Sequence, residues 1–112
     1  MDLLKKKNMK ESLDKVRIKY PNKIPLFIYR SKRDKSLQDL NCNKFLVPDN
    51  ITVGQFMMII RKRLKLDSTI ALFVFINNTI PCSSDSILQI YENHKNKDGM
   101  LVLEYCGENV FG

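Results

Sequence analysis

Apolar residues recur every three or four positions across residues 9–20, which predicts a helix with one buried face. Asn8 and Glu11 fit a capping box, in which two side chains bind free N–H groups of the first helical turn. Pro21 ends this predicted helix, because proline disfavours helical backbone in the residue before it. The opposite face of the helix is rich in lysine. The apolar positions are Met9, Leu13, Val16 and Tyr20.

Two further helices are predicted in the second half of the chain. Thr52 is the predicted N-cap of the longer one, because its side chain can accept a hydrogen bond from a free backbone N–H. Ser84 and Asp85 are expected to cap a shorter helix, with Ile87, Leu88 and Tyr91 facing inward. The longer helix carries a broad apolar stripe, which predicts that it packs on a sheet. That stripe consists of Val53, Phe56, Ile59, Ile60 and Leu64.

Short apolar runs between these helices predict four strands. The first two are expected to pair as a hairpin across the polar loop 31–43, with a turn at residues 37–40. Pro25 indicates a strand start or a sheet edge, because proline has no N–H to donate. The third run is almost continuously apolar, which predicts a central strand buried on both faces. The four runs are 24–30, 44–47, 70–76 and 100–105.

The order of these elements predicts the fold class. A helix, two strands, a second helix, a strand, a short helix and a last strand make an α+β arrangement, with the long helix covering one sheet face. This is the ubiquitin-like β-grasp, here with an N-terminal helical extension. We expect one ubiquitin-like domain over residues 1–112, divided into the extension (1–20), the β-grasp core (21–106) and a C-terminal tail (107–112).

Composition narrows the class of protein. The chain has 112 residues, of which 44% are hydrophobic and 28% charged, as in ordinary globular domains. Three cysteines, Cys42, Cys82 and Cys106, are widely spaced, and His94 is the only histidine, so neither a metal site nor a cofactor is expected. Reduced thiols and the lack of a signal peptide indicate a cytoplasmic protein. The longest apolar run is too short to span a bilayer, so membrane attachment would be peripheral or through a lipid.

The net charge of +7 is unevenly distributed, because twelve of the 19 Lys and Arg lie in residues 5–35. A second basic cluster is Arg61-Lys62-Arg63 with Lys65. Such a surface suits nucleic acid, anionic lipid or acidic peptides, and it is equally typical of a solvated face with no single partner.

Several segments in order resemble the autophagy-related protein 8 family, the GABARAP-type ubiquitin-like modifiers. The resemblance covers residues 15–112, and the chain departs from it in having a shorter N-terminal region and Cys42 at a position where GABARAP has lysine. The segments are Lys19-Tyr20-Pro21-Asn22-Lys23-Ile24-Pro25, Lys44-Phe45-Leu46-Val47-Pro48, Thr52-Val53-Gly54-Gln55-Phe56, Ile60-Arg61-Lys62-Arg63, Ala71-Leu72-Phe73-Val74-Phe75, Asn77-Asn78, Ile80-Pro81, Leu88-Gln89-Ile90-Tyr91, Lys97-Asp98-Gly99 and Phe111-Gly112.

The resemblance implies a modifier rather than an enzyme. Family members are activated at the terminal glycine, here Gly112, by an ATP-dependent activating enzyme. They pass as a thioester to a conjugating enzyme and end as an amide on phosphatidylethanolamine. A cysteine protease can process or delipidate them. The expected location is cytoplasmic and, after lipidation, the autophagosome or, in some parasites, a plastid membrane.

The resemblance also implies a docking site for receptors that carry an aromatic and an aliphatic residue separated by two positions. The strand 44–47 is short and bounded by Pro48, which suits an exposed sheet edge that an extended peptide could join. Positions matching the aromatic pocket are Val16, Pro25, Lys44, Leu46 and Met100. Positions matching the aliphatic pocket are Phe45, Val47, Pro48, Ile51, Phe56, Ile59 and Arg63. Acidic residues that flank the motif would contact Lys23, Lys44 and Arg63.

Two other classes of function are compatible with the residues. A basic nucleic-acid-binding domain would use phosphate contacts alone, but the chain has no RNA-recognition pattern or aromatic stacking strand, so no nucleic acid is expected as a partner. A β-grasp scaffold that binds a signalling partner without being conjugated is the second alternative. A lipid adduct at the terminal glycine would distinguish the modifier from this scaffold.

Overall fold

The structure is a computed structural model that describes residues 2–107, with side chains from residue 9 onward. The elements alternate as expected for an α+β protein, which confirms the predicted fold class. In chain order they are α1 (Asp2–Lys19), β1 (Lys23–Arg30), β2 (Lys44–Pro48), α2 (Val53–Arg63), β3 (Phe73–Phe75), α3 (Ile87–His94) and β4 (Leu101–Cys106).

The strands form one mixed sheet in the order β2-β1-β4-β3. β1 runs antiparallel to β2, as expected for the predicted hairpin, and parallel to β4 at the centre of the sheet. β3 pairs antiparallel with β4 at the far edge. A central parallel pair with antiparallel strands outside it is the β-grasp arrangement that the element order predicts.

Alternation along the two central strands places one row of side chains in the core. Every second residue of β1 from Ile24 to Ile28 is fully buried, and β4 buries its own alternate residues in the same way. From α2, Phe56 and Ile60 are also fully buried, so this helix supplies the apolar stripe that the sequence predicts. The strand residues in this cluster are Ile24, Leu26, Ile28, Leu101, Leu103 and Tyr105.

Thr52, the predicted N-cap of α2, does cap this helix, and it forms a capping box with Gln55. The N–H of Gln55 donates to Thr52 Oγ1 at 3.2 Å, and the N–H of Thr52 donates to Gln55 Oε1 at 2.9 Å. Two backbone donors of the first turn are therefore satisfied, which fixes the start of the helix beside the end of β2.

The third strand differs from its prediction. Only Phe73–Phe75 pair with the sheet, and β3 lies at an edge rather than at the centre. Ile70 is 42% exposed, whereas Leu72 and Ile76 are buried without belonging to the strand. An apolar run indicates that its residues are buried, but not which element buries them. Here Leu72 and Ile76 are buried by packing outside the strand rather than as members of it.

The first helix is longer and less amphipathic than predicted. It begins at Asp2, so Asn8 lies inside the helix and does not cap it. Of the predicted stripe, Leu13 is buried, while Met9 and Tyr20 are each at least 40% exposed. From residue 9 onward, the helix therefore contacts the sheet over a short stretch around Leu13.

Smaller corrections concern caps and turns. Ser86, rather than Ser84 and Asp85, is the N-cap of α3, and its Oγ accepts from the N–H of Gln89. The turn in loop 31–43 lies at residues 32–33, not at 37–40. Strand boundaries shift by one residue, because β1 begins at residue 23 and β4 spans residues 101–106.

Candidate functional site

The outer edge of β2 is open in the part of the chain that the structure describes. β1 covers one side of this strand, and none of the other described strands pairs with the opposite side. Its backbone N–H and C=O groups on that side can therefore pair with an added strand. The strand order thus confirms the prediction that residues 44–47 lie at an edge of the sheet.

Side chains of β2 alternate between the two faces of the sheet. Lys44 and Leu46 are exposed on the face that carries α1, and Leu46 retains 44% of its surface. Phe45 and Val47 turn to the face that carries α2, where Val47 is buried. A chain lying along this edge would thus meet two different surfaces.

An apolar cavity of about 200 Å³ lies between α1 and the sheet, beside β2. An apolar cavity of about 150 Å³ is known to hold a benzene molecule, so this one has room for an aromatic ring. The cavity is lined by all five residues predicted for the aromatic pocket, Val16, Pro25, Lys44, Leu46 and Met100, and also by Leu13, Leu26 and Phe45. The structure therefore brings the first predicted set together at one place.

Three cavity residues were absent from the predicted set. Leu13 lies three positions before Val16 in the same helical stripe, so helical spacing could have identified it. Leu26 and Phe45 face each other in the register between β1 and β2. Finding them requires the pairing of the strands, which no local pattern in the sequence supplies.

Residues of the second predicted set surround the contact between β2 and α2. The rings of Phe45 and Phe56 meet edge to face, with centroids 5.7 Å apart. The guanidinium of Arg63 lies 5.8 Å from the centroid of the Phe45 ring. Pro48, Ile51 and Ile59 are half-buried around them. These residues form an apolar surface on the α2 side of the edge.

Two members of this second set lie below that surface. Phe56 is fully buried and Val47 is 3% exposed, so both belong to the core cluster. In this arrangement they support the surface from beneath, and Phe45, Ile51 and Ile59 form it. A ligand that reached Phe56 would have to displace the ring of Phe45.

The three cations predicted to meet acidic residues lie around this edge. Lys44 and Arg63 are exposed and Lys23 is half-buried. Both ion pairs found among residues 9–107 involve Arg30, so none of these three cations is neutralised by a carboxylate there. Exposed Cys42 lies next to them, with Sγ 3.3 Å from the carbonyl oxygen of Lys44.

Arg17 holds the helical wall of the cavity in place. Its Nη1 donates to the carbonyl oxygen of Lys23, at the start of β1. Its guanidinium also lies 5.3 Å from the centroid of the Tyr91 ring on α3. Burial raises the pKa of Tyr91, so its ring carries a neutral phenol against the cation.

The predicted conjugation residue, Gly112, lies outside the described residues. The described chain ends one residue beyond β4, at Gly107, whose N–H donates to Asp34 Oδ1 at 2.8 Å. No group of His, Cys, Asp or Glu within residues 9–107 is placed to hold a metal ion. None of the helices in that part of the chain is both long and apolar enough to cross a membrane.

Comparison with known proteins gives consistent matches over most of the chain. The family model described as "Autophagy protein Atg8 ubiquitin like" matches residues 7–112. Autophagy-related protein 8a of Arabidopsis thaliana is 43% identical over 104 residues, which are 93% of this chain and 84% of the relative. Autophagy-related protein 8e of the same plant is 38% identical over 103 residues, 92% of this chain and 84% of the relative.

A solved structure matches the fold as well. The crystal structure of Trypanosoma brucei ATG8 is similar with a TM-score of 0.86 and 36% sequence identity. The match covers 96% of this chain and 91% of the trypanosome chain.

Proposed function

The chain belongs to the Atg8 family of ubiquitin-like autophagy proteins, and from that premise we propose a modifier that is joined to phosphatidylethanolamine through Gly112. In its lipidated form it recruits receptors that carry an aromatic-x-x-aliphatic motif. The protein starts in the cytoplasm and becomes attached to the autophagosome or, in some parasites, to a plastid membrane.

The open edge of β2 beside the cavity is the observation that carries the docking proposal. Residues three positions apart in an extended chain point to opposite faces, because side chains alternate with a period of two. A motif strand added to β2 would therefore place its aromatic residue on one face of the sheet and its aliphatic residue on the other. The cavity on the α1 side and the Phe45 surface on the α2 side match this requirement.

The two surfaces differ in a way that supports this assignment. The α1 side offers an existing space of about 200 Å³, large enough for a ring. The α2 side offers a half-buried surface around Ile51 and Ile59, which an aliphatic side chain could cover by shifting the Phe45 ring slightly. Main-chain hydrogen bonds along β2 would set the register, and the two side-chain contacts would provide selectivity.

Conjugation would use the chain as a substrate rather than as a catalyst. Glycine has no Cβ, so a terminal glycine carboxylate can enter the narrow channel that leads to a catalytic cysteine in another protein. The activating and conjugating enzymes supply that cysteine, and a cysteine protease would process or remove the product. His94 Nδ1 lies 2.9 Å from Asn77 Nδ2, so this nitrogen is engaged by an amide rather than by a thiol.

Substitution of the terminal residue tests the conjugation proposal. Gly112→Ala should abolish attachment to phosphatidylethanolamine liposomes in a reaction with ATP and the activating and conjugating enzymes, because the added methyl group obstructs the channel. Intact-mass measurement of the protein reports the lipid adduct directly.

Ile80→Ala is a suitable control, because Ile80 is half-exposed and belongs to neither predicted pocket. It should be lipidated like the wild type. Lipidation of Gly112→Ala at the wild-type rate would refute conjugation through this residue, and a wild-type chain without any adduct would favour the scaffold alternative.

A further inference from the structure

The buried carboxylate of Asp34 binds the backbone of Gly107, the last residue that the structure describes. Asp34 is 2% exposed, and its Oδ1 accepts the N–H of Gly107 at 2.8 Å, although 73 residues separate the two in sequence. Oδ1 also accepts the hydroxyl of Ser36 at 2.8 Å, and Oδ2 accepts the N–H of Leu37 at 2.9 Å. Arg30 Nη1 lies 3.9 Å from Oδ2 and donates to the Asp34 carbonyl oxygen.

The loop that carries Asp34 is fixed to the core. Leu37 and Leu40 are buried in the main cluster, which is unusual for a segment so polar in sequence. The Tyr105 hydroxyl donates to the carbonyl oxygen of Gln38 at 2.7 Å, and Gln38 Nε2 donates to the carbonyl oxygen of Leu64 at 3.0 Å. The loop is therefore held by both β4 and the end of α2.

Gly107 fits under this loop because it lacks a side chain. A Cβ at this position would lie 2.3 Å from Ser36 Oγ and 3.0 Å from Leu37 Cγ, and the first distance is too short for any real contact. Ser36 and Leu37 of this loop therefore lie close against the backbone of Gly107. The Asp34 carboxylate accepts the Gly107 N–H at the same place.

The carboxylate of Asp34 is in its charged form at neutral pH. Burial opposes ionisation, but the hydrogen bonds from Gly107, Leu37 and Ser36 outweigh it and lower the pKa of Asp34 below its ordinary value. A charged acceptor binds an N–H more strongly than a neutral one does.

We propose that Asp34 is a positioning residue for conjugation, because it fixes the position of Gly107, shortly before the terminal glycine in sequence; this inference rests on the proposed function. Gly112 is five positions after Gly107, so the terminal glycine can lie at most about 18 Å from Gly107, where the Asp34 carboxylate anchors the chain. The enzymes must bind the folded domain and the terminal carboxylate at the same time. If the position of Gly107 is fixed, the terminal carboxylate can occupy fewer positions, so it reaches the catalytic cysteine more readily.

Asp34→Asn is the first test, because the amide keeps the size of the side chain but presents an N–H₂ group to one of the three donors. We expect amide hydrogen exchange at Gly107 to become about tenfold faster. We expect kcat/KM for transfer from the activating to the conjugating enzyme to fall by about three- to tenfold, with unchanged affinity for an aromatic-x-x-aliphatic peptide. An unchanged kcat/KM alongside faster exchange would overturn the proposal.

Asp67→Asn is the matched control. Asp67 also accepts hydrogen bonds within its own turn, from the N–H of Thr69 at 2.9 Å and from the Thr69 hydroxyl at 3.1 Å, but its oxygens do not bind Gly107. It should leave both Gly107 exchange and transfer as in the wild type. A loss of transfer equal to that of Asp34→Asn would show that general loop stability, and not the anchor, matters.

A second pair of variants tests the anchor without changing Asp34. Gly107→Ala should displace the tail and reduce transfer to the same extent, and adding Ser36→Ala should restore part of it by removing the nearest clashing atom. Absence of any such restoration would show that the enzymes need Gly107 itself, against the proposal. Failure of the wild-type chain to form a thioester would instead refute the proposed function, so the two failures are distinguishable.

Discussion

Leu46 is the apolar residue of the candidate site with the most surface to bury. It keeps 44% of its surface in the isolated chain and lies on the cavity side of the open strand. Its neighbours in sequence, Phe45 and Val47, are already packed against α2 or the core. A partner that covered Leu46 would gain apolar burial there without disturbing the fold.

We predict that Leu46→Ala weakens binding of an aromatic-x-x-aliphatic peptide by about 1–3 kcal/mol, because it truncates a contact that is buried only in the complex. Calorimetric titration measures this change. The free energy of unfolding should change little, since the side chain is half-exposed in the isolated protein.

Ile70→Ala provides the comparison, because Ile70 is similarly exposed, at 42%, but lies outside both predicted pockets. It should bind the peptide with wild-type affinity. Equal affinities for Leu46→Ala and the wild type would remove Leu46 from the site.

At the residue scale, the resemblance to the family named more of the residues that line the cavity than the local sequence patterns did. The five residues matched to the aromatic pocket come from four separate elements or their ends, and only the fold shows that they line one cavity. Phe56 was identifiable as core from its helical stripe, and the structure buries it fully. The buried role of Asp34 could not be predicted, because its partner lies 73 residues away in sequence.

At the element scale, the cap at Thr52 was predicted correctly, whereas the caps predicted for α1 and α3 were not. Thr52 and Gln55 define the start of α2 by themselves, so the sequence was sufficient there. The prediction of a central strand over residues 70–76 was wrong, because Leu72 and Ile76 are buried although they lie outside the strand. In the sequence, such residues look the same as buried strand residues. Loop 31–43 was predicted as a polar loop, yet it buries Leu37 and Leu40, which depends on tertiary packing alone.

Few buried side chains of α1 pack against the sheet, so we expect the two contacts of Arg17 to help keep this helix in place as one wall of the cavity. Arg17→Ala should remove the bond to the Lys23 carbonyl and the contact with the Tyr91 ring, so α1 amides should exchange faster while those of β1 and β4 do not. We expect the affinity for the aromatic motif peptide to fall by about two- to tenfold, which corresponds to the strength of such contacts.

Ile18→Ala is the control on the same helix, because Ile18 is 81% exposed and does not line the cavity. It should change neither exchange nor affinity. A wild-type affinity for Arg17→Ala would show that the position of α1 is not held by this residue, or that the aromatic side chain binds elsewhere.

At the scale of the whole molecule, the positive charge acts mainly on encounter with partners. The chain carries a net charge of +7, and Lys23, Lys44 and Arg63 lie unpaired around the β2 edge within residues 9–107. Unneutralised cations at a docking edge attract acidic segments over about 10 Å at 0.1 M salt, and this affects the rate of capture more than the final affinity.

The association rate of a motif peptide with acidic flanking residues should therefore fall about tenfold between about 50 and 500 mM salt. The same motif with neutral flanking residues should change by less than about twofold. Stopped-flow fluorescence with the two peptides measures both rates. Equal salt dependence of the two would show that these cations do not guide the approach of acidic segments.

The parallel pairing of β1 with β4 has a consequence for the synthesis of the protein. The side chains of Tyr29 and Glu104, hydrogen-bonded across these central strands, are 75 residues apart, so the sheet cannot close until translation has passed residue 105. A nascent chain that stalls before residue 101 leaves Leu26 and Ile28 uncovered and exposed to chaperones and proteases. Cellular quality control can therefore recognise and remove incomplete copies of the protein.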